Sequence, residues 1–157
     1  MIKNFLLVFV FIWSTQVLSQ EAIQQWVYNM LERAQMNIDN GNTEQAEKTY
    51  KDYADRSYSS NSYDHFVVLR TYAYFLLSQD RNTEALTYLK KADVKKRMPA
   101  YDVFMLKFSL GQVLYVEEER DAAKKAFLEW VKIGTENEFD LRPEGYATIA
   151  TIYAQDQ

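Results

Sequence analysis

The sequence contains no cysteine and a single histidine among its 157 residues. Without cysteine the chain has no disulfide, no thiol nucleophile and no thiolate zinc site. One histidine also excludes a metal site built from several imidazoles. We therefore predict that the protein holds neither a metal ion nor a cofactor.

Glycine and proline are scarce, with four and two residues. No stretch alternates apolar and polar residues as a half-buried strand does, whereas apolar residues recur at helical spacing. In the first such stripe they are Ile23, Trp26, Val27, Met30, Leu31, Ala34 and Ile38. The pattern predicts an all-α protein with helices over 21–39, 43–56, 64–79, 83–96, 101–116, 121–134 and 143–155.

Residues 1–19 have the composition of a secretory signal. Lys3 precedes an uninterrupted apolar run from Phe5 to Trp13, and the small Ser19 suits cleavage before Gln20. The run is too short to cross a bilayer, which takes about 20 apolar residues. We predict a signal peptide over 1–19, a folded domain over 20–157 and no stable membrane span after cleavage. The expected location is outside the cytoplasm, in a bacterial periplasm; retention of the segment as an anchor is the alternative.

The charge and the motifs favour binding over catalysis. The formal net charge of -4 argues against nucleic acid as the main partner. The sequence has no glycine-rich phosphate loop, no nucleophile elbow and no zinc-protease motif. His65 is the sole candidate base of its type, and we interpret it as structural or exposed. We predict no catalytic residues and no enzymatic activity.

Small residues recur with a period close to 39. The first small position is occupied by Ala34, Ala73, Gly111 and Ala150, at separations of 39, 38 and 39 residues. A second small position follows twelve residues later, at Ala46, Ala85 and Ala123, and a large residue four further on, at Tyr50, Leu89 and Phe127. Small residues let two helices approach closely, and the bulky residue one turn later fills the adjoining space. The repeated spacing therefore predicts that each unit consists of a helix, a tight turn and an antiparallel helix.

These positions resemble the signature of the tetratricopeptide repeat (TPR) family. The resemblance covers roughly residues 27–155 and implies a right-handed superhelical solenoid of antiparallel helix pairs. It implies about three repeats followed by a C-terminal capping helix that begins at Pro143. The chain departs from the family pattern in its longer period, in lacking the closing proline, and in Arg33, Asn37 and Lys107, which replace apolar residues.

The resemblance implies that the first helices of the pairs line a concave groove. The partner-binding residues expected there are Tyr28, Gln35, Arg70, Tyr74, Phe108, Gln112 and Tyr115. Some members hold a partner's terminal carboxylates with a polar clamp, but the matching positions here carry Leu31, Gln35, Thr71, Met105 and Ser109. We predict a scaffold or adaptor that binds a protein or peptide through apolar anchors, with Arg70 available to a carboxylate. The alternative is a self-associating, homo-oligomeric component of an envelope assembly, joined through the terminal helices or an exposed Trp130.

Overall fold

The computed structural model describes residues 23–56 and 62–155. Within these ranges it contains seven helices and no strand, which confirms the predicted all-α class. The helix bounds differ from the predicted ones by at most four residues. They are α1 (Gln25–Asp39), α2 (Thr43–Ala54), α3 (Tyr63–Ser78), α4 (Asn82–Asp93), α5 (Ala100–Val116), α6 (Arg120–Glu136) and α7 (Pro143–Gln155). The predicted signal peptide, residues 1–19, lies outside the described residues.

Each helix packs against the next one along the chain, and α1 also contacts α3. The pairs α1–α2, α3–α4 and α5–α6 are joined by turns of only three residues, which makes the two helices of each pair antiparallel neighbours. We refer to α1, α3 and α5 as the first helices of the pairs, and to α2, α4 and α6 as the second helices.

The three turns within the pairs have the same backbone conformation at the same register. The residue seven positions after the first small residue has positive φ in each: 75° at Gly41, 58° at Asp80 and 63° at Glu118. The next N–H then bonds back to a carbonyl five residues earlier: Asn42 to Asn37 (2.7 Å), Arg81 to Leu76 (3.0 Å) and Glu119 to Leu114 (2.9 Å). This conformation costs a residue with a side chain about 1–2 kcal/mol. Asp80 and Glu118 nevertheless adopt it, so the turn is maintained in two pairs without glycine.

The small residues are buried where the helices of a pair meet. Ala34, Ala46, Ala73, Ala85 and Ala123 have no exposed surface. At Gly111 a Cβ atom would lie 2.8 Å from three ring carbons of Phe127, which is shorter than a van der Waals contact. The backbone of α5 therefore approaches α6 more closely than any larger residue would permit. This contact confirms the predicted pairing of a small residue with a bulky one in the third pair.

The C-terminal part of the core is an aromatic cluster centred on Trp130. Its ring has no exposed surface and packs against Phe104 at 5.6 Å, Phe108 at 5.1 Å and Tyr146 at 5.9 Å between ring centroids. Gly145 has no side chain, and its backbone lies directly against the indole, so α7 closes over it. The prediction that Trp130 is an exposed aromatic for self-association is therefore wrong, because α7 covers it.

The fourth small residue, Ala150, is exposed. Within the part of the chain that the structure describes, no second helix pairs with α7 as α6 pairs with α5. Ala150 and Gly111 therefore occupy the same register on two helices but differ in whether another helix covers them.

We expect Gly111→Val to lower the free energy of unfolding by about 1–3 kcal/mol, because the added carbons enter space held by the Phe127 ring. Ala150→Val is the matched control, and its expected cost is less than about 1 kcal/mol because the site is exposed. Urea unfolding of both variants measures the difference. Equal losses at the two positions would contradict the close approach of α5 and α6.

Candidate binding surface

The predicted partner-binding residues lie on α1, α3 and α5 but differ in exposure. Tyr28, on α1, is 53% exposed. Gln35 is also exposed, and Arg70, Tyr74, Gln112 and Tyr115 are half-buried. Phe108 is only 4% exposed and belongs to the core. The first-helix surface is defined here as Tyr28, Gln35, Arg70, Tyr74, Gln112 and Tyr115.

Phe108 does not offer its ring to a partner. It packs edge-on against Phe127 and lies beside Trp130, while the guanidinium carbon of Arg142 is 5.2 Å from the ring centre. The expectation that it lines a groove is therefore corrected by its burial. The physical reason is that Trp130 of α6 and the backbone of Gly145 on α7 both lie against the Phe108 ring.

Arg70 forms an ion pair with a carboxylate of its own chain. Its Nη1 donates to Oδ1 of Asp102, and the Tyr63 hydroxyl donates to Oδ2 of the same carboxylate at 2.9 Å. Asp102 is buried in the first turn of α5, so these bonds connect α3 to α5. The expectation that Arg70 is available to bind a partner's carboxylate is therefore corrected, because the Asp102 carboxylate already neutralises its charge.

The ionisation of Arg70 follows from the same contacts. Burial disfavours the charged guanidinium, but attraction to Tyr74 and Asp102 outweighs it, and the pKa of Arg70 is raised. The guanidinium carbon also lies 5.3 Å from the centre of the Phe66 ring. The ion pair of Arg70 and Asp102 therefore has no net charge, and it lies at the middle of the first-helix surface.

A second polar contact between α3 and α5 lies one helical turn further along. The hydroxyl oxygens of Tyr74 and Ser109 are 3.1 Å apart. Because the Ser109 hydroxyl donates to the carbonyl of Met105 at 3.1 Å, Tyr74 is the donor in the contact between them. The half-buried Tyr74 ring is therefore held in place by α5.

Lys107, a departure from the family pattern, lies in a partly buried ion cluster. Its Nζ is 2.6 Å from Oδ1 of Asp93, at the end of α4, and 2.5 Å from Oε2 of Glu129 on α6. Burial opposes the charge of Lys107, but hydrogen bonds to the two carboxylates outweigh it and raise its pKa. The side chain therefore joins three helices and is not part of the first-helix surface.

His65 is buried in the first turn of α3. Its Nε2 lies 2.9 Å from the Ala54 carbonyl oxygen and donates to it. Burial lowers the pKa of His65 and outweighs that hydrogen bond, with the positive charges of Lys95 and Lys91 adding to the lowering. The imidazole is thus a neutral donor that connects α3 to the end of α2, as a structural histidine does.

The sequence reasoning did not identify Asp102 as part of this surface. Asp64 and Asp102 stand at the same register, nine residues before Ala73 and Gly111. Both lie in the first turn of a helix, where a carboxylate is favoured by the helix dipole. Asp64 accepts a hydrogen bond from the Gln24 backbone N–H at 2.9 Å, as Asp102 accepts one from Arg70. This repeated acidic position was the available signal.

Among residues 23–56 and 62–155, no three His, Cys, Asp or Glu side chains converge as metal ligands. None of the helices in these ranges combines the length and the apolar character needed to cross a bilayer. The chain matches no model of a known protein family, and it matches no curated protein sequence.

We expect Arg70→Leu to lower the free energy of unfolding by about 1–3 kcal/mol, because it leaves the Asp102 carboxylate buried without its cation. The double substitution Arg70→Leu/Asp102→Leu is expected to recover part of this loss, since no unpaired charge remains. Lys132→Ala removes an exposed ion pair with Glu136 and serves as the control, with a cost below about 0.5 kcal/mol. A double variant that loses the sum of the two single losses would contradict the pairing.

Proposed function

We propose that the protein is a non-enzymatic scaffold or adaptor of the TPR-like class, which binds a protein or peptide on its first-helix surface. The class is supported by three successive helix pairs that share a buried small position and a left-handed turn residue at Gly41, Asp80 and Glu118. Repeated pairs of this kind stack into a right-handed superhelical solenoid, with each unit resting on its neighbours. In that arrangement the first helices line the concave side.

The observation that carries the proposal is the chemistry of the first-helix surface. Tyr28 is exposed and Tyr74 and Tyr115 are half-buried, on three successive first helices. Tyrosine offers a large contact area with few rotamers to immobilise, and it is enriched where binding energy is concentrated. Gln35 and Gln112 add amide groups that donate and accept hydrogen bonds.

The charge of this surface defines the partner more narrowly. Arg70 is paired with Asp102, so the centre of the surface offers no net positive charge to an acidic tail. A peptide with apolar anchors and a hydrogen-bonding backbone fits these side chains better than a terminal carboxylate does. Arg70 and Tyr74 are poor probes of binding, because replacing them breaks contacts between α3 and α5.

A photo-crosslinking residue in place of Gln112, which is half-buried on α5, tests this function in cells. We expect a discrete protein adduct at Gln112 and none when the same residue replaces Lys132, on the exposed side of α6. Adding Tyr28→Ala should reduce the adduct at least about threefold, as expected when an aromatic anchor is lost. Equal adducts at both positions, or no effect of Tyr28→Ala, would contradict binding on the first-helix surface.

We also propose that the protein is exported from a bacterial cytoplasm to the periplasm. The proposal is supported by Lys3, the apolar run from Phe5 to Trp13 and the small Ser19, in the order of a secretory signal. The exported chain is then expected to begin at Gln20. Mass spectrometry of the N-terminal peptide from the envelope fraction measures this, and an intact residue 1–19 segment would contradict cleavage.

A further inference from the structure

His65 is a buried imidazole where the first helix pair meets the second. It lies in the first turn of α3 and is 7% exposed. Its Nε2 donates to the carbonyl oxygen of Ala54, the last residue of α2, at 2.9 Å. This hydrogen bond therefore connects the end of the first pair to the beginning of the second.

Three cations border the cavity beside this imidazole. The cavity is open to solvent and has a volume of about 270 Å³, and its lining includes Lys91 of α4, Lys95 just beyond α4 and Arg56 just beyond α2. Because like charges repel, each nearby cation disfavours a positive charge on the imidazole. Burial is the largest cause that lowers the pKa of His65, and the charges of Lys95 and Lys91 lower it further.

The carboxylate that lines this cavity is Asp55, and it already has two partners. Its Oδ1 accepts hydrogen bonds from the Tyr88 hydroxyl and from Nζ of Lys91, each at 3.2 Å. A carboxylate shared in this way gives little stabilisation to a third group. A protonated His65 would therefore have to compete with Lys91 for Asp55.

The carboxylate next to His65 in the chain, Asp64, is also engaged. It accepts a hydrogen bond from the Gln24 backbone N–H at 2.9 Å. Residues 57–61, which connect α2 to α3, contain no acidic residue. The negative end of α2 favours a charge on His65 but the positive end of α3 disfavours it, so the two helix dipoles oppose each other.

Histidine ordinarily gains its proton between about pH 5 and 8, and His65 is the only histidine of the chain. We propose that His65 is a proton-sensitive joint, in which uptake of a proton by the imidazole opens the junction between α2 and α3. The imidazolium is better stabilised by water than by a buried site that faces Lys91 and Lys95, so it moves towards solvent. The contact with Ala54 is then lost, and the first helix pair loosens from α3.

The loosened pair carries part of the first-helix surface. Tyr28 and Gln35 lie on α1, whereas Tyr74 and Gln112 lie on α3 and α5. A partner bound across these helices would therefore be released as the pH falls. This consequence rests on the proposed function, whereas opening of the joint can be measured without any partner.

The sign of the pH dependence follows from the two states of the junction. When the junction is open, His65 lies in water and has its ordinary pKa of about 6.5. Above that pH the imidazole is neutral in both states, and opening gains nothing from protons. Below it the open state takes up a proton that the closed site resists, so the opening constant rises as the pH falls. At about pH 5 this rise is limited to about thirtyfold, which is reached if the closed imidazole takes up no proton.

The single histidine makes the proton uptake directly measurable in the full chain. An NMR titration of its imidazole signals should give a pKa below about 6.5. Hydrogen exchange, corrected for the intrinsic rate at each pH, measures the opening. Between about pH 7.5 and about pH 5, the opening constant of α2 should rise at least about threefold, and at about pH 5 it should exceed that of α6 at least about threefold.

Two sets of variants assign this response to the joint. His65→Gln removes the proton site but keeps an N–H donor for Ala54, and the acid response of α2 should be lost. Lys95→Gln keeps the histidine and removes a cation, so it should reduce the response at least about twofold. Lys96→Gln is the matched control, because Lys96 is exposed and lies outside the cavity lining, and it should leave the response unchanged.

A pKa of His65 at or above about 6.5 would overturn the proposal, because the folded site would then favour the proton. Equal opening constants for α2 and α6 at about pH 5 would also overturn it, since the junction would open only when the whole domain unfolds. So would an acid response that persists in His65→Gln. If His65→Gln does not fold, equal effects of Lys95→Gln and Lys96→Gln are the contradicting result.

Discussion

The close approach of two helices at a small residue is the contact on which the rest of the structure depends. At Gly111 a Cβ would lie 2.8 Å from the Phe127 ring, which is shorter than a van der Waals contact. The turn that returns the chain is tied to it in register, because Gly41, Asp80 and Glu118 each stand seven residues after the small position. In the third pair this register returns the bulky Phe127 beside Gly111. Asp80 and Glu118 adopt the left-handed conformation although they carry side chains. The packing of the helix pair therefore outweighs the backbone preference of these residues.

Once the pairs are formed, polar contacts hold successive pairs together. Arg70 and Tyr63 meet on the Asp102 carboxylate, and Lys107 joins Asp93 to Glu129. These charges are mostly removed from water, so each is stabilising only while its partner is present. These contacts fix α3 and α5 relative to one another, and the remaining surface of the two helices offers tyrosine and amide groups. For the peptide binding proposed above, such preorganisation would lower the entropic cost.

The helices and their pairing were predictable because they depend on local periodicity. The third turn was predictable only from its register, since Glu118 replaces the glycine that marks the first turn. The site was less predictable, because it depends on contacts between helices that are distant in sequence. Arg70 and Asp102 are 32 residues apart, and the pattern of apolar residues contains no information on their meeting. Phe108 and Trp130 were assigned to surfaces because the closure of α7 over them depends on Gly145, whose role is visible only in three dimensions.

We claim that a small residue on the first helix of a pair and a large residue on the second fill one shared space. Exchanging these two side chains in one helix pair tests this claim most directly. Ala73 and Leu89 are both completely buried, on α3 and α4. Ala73→Leu should destabilise the fold by overpacking, at about 1–3 kcal/mol, and Leu89→Ala by leaving a cavity, at about 2–5 kcal/mol. The double variant Ala73→Leu/Leu89→Ala should be more stable than the sum of these losses by at least about 1 kcal/mol, measured by urea unfolding as a double-mutant cycle. Losses that simply add would contradict the claim that small and large residues of the two helices fill one shared space.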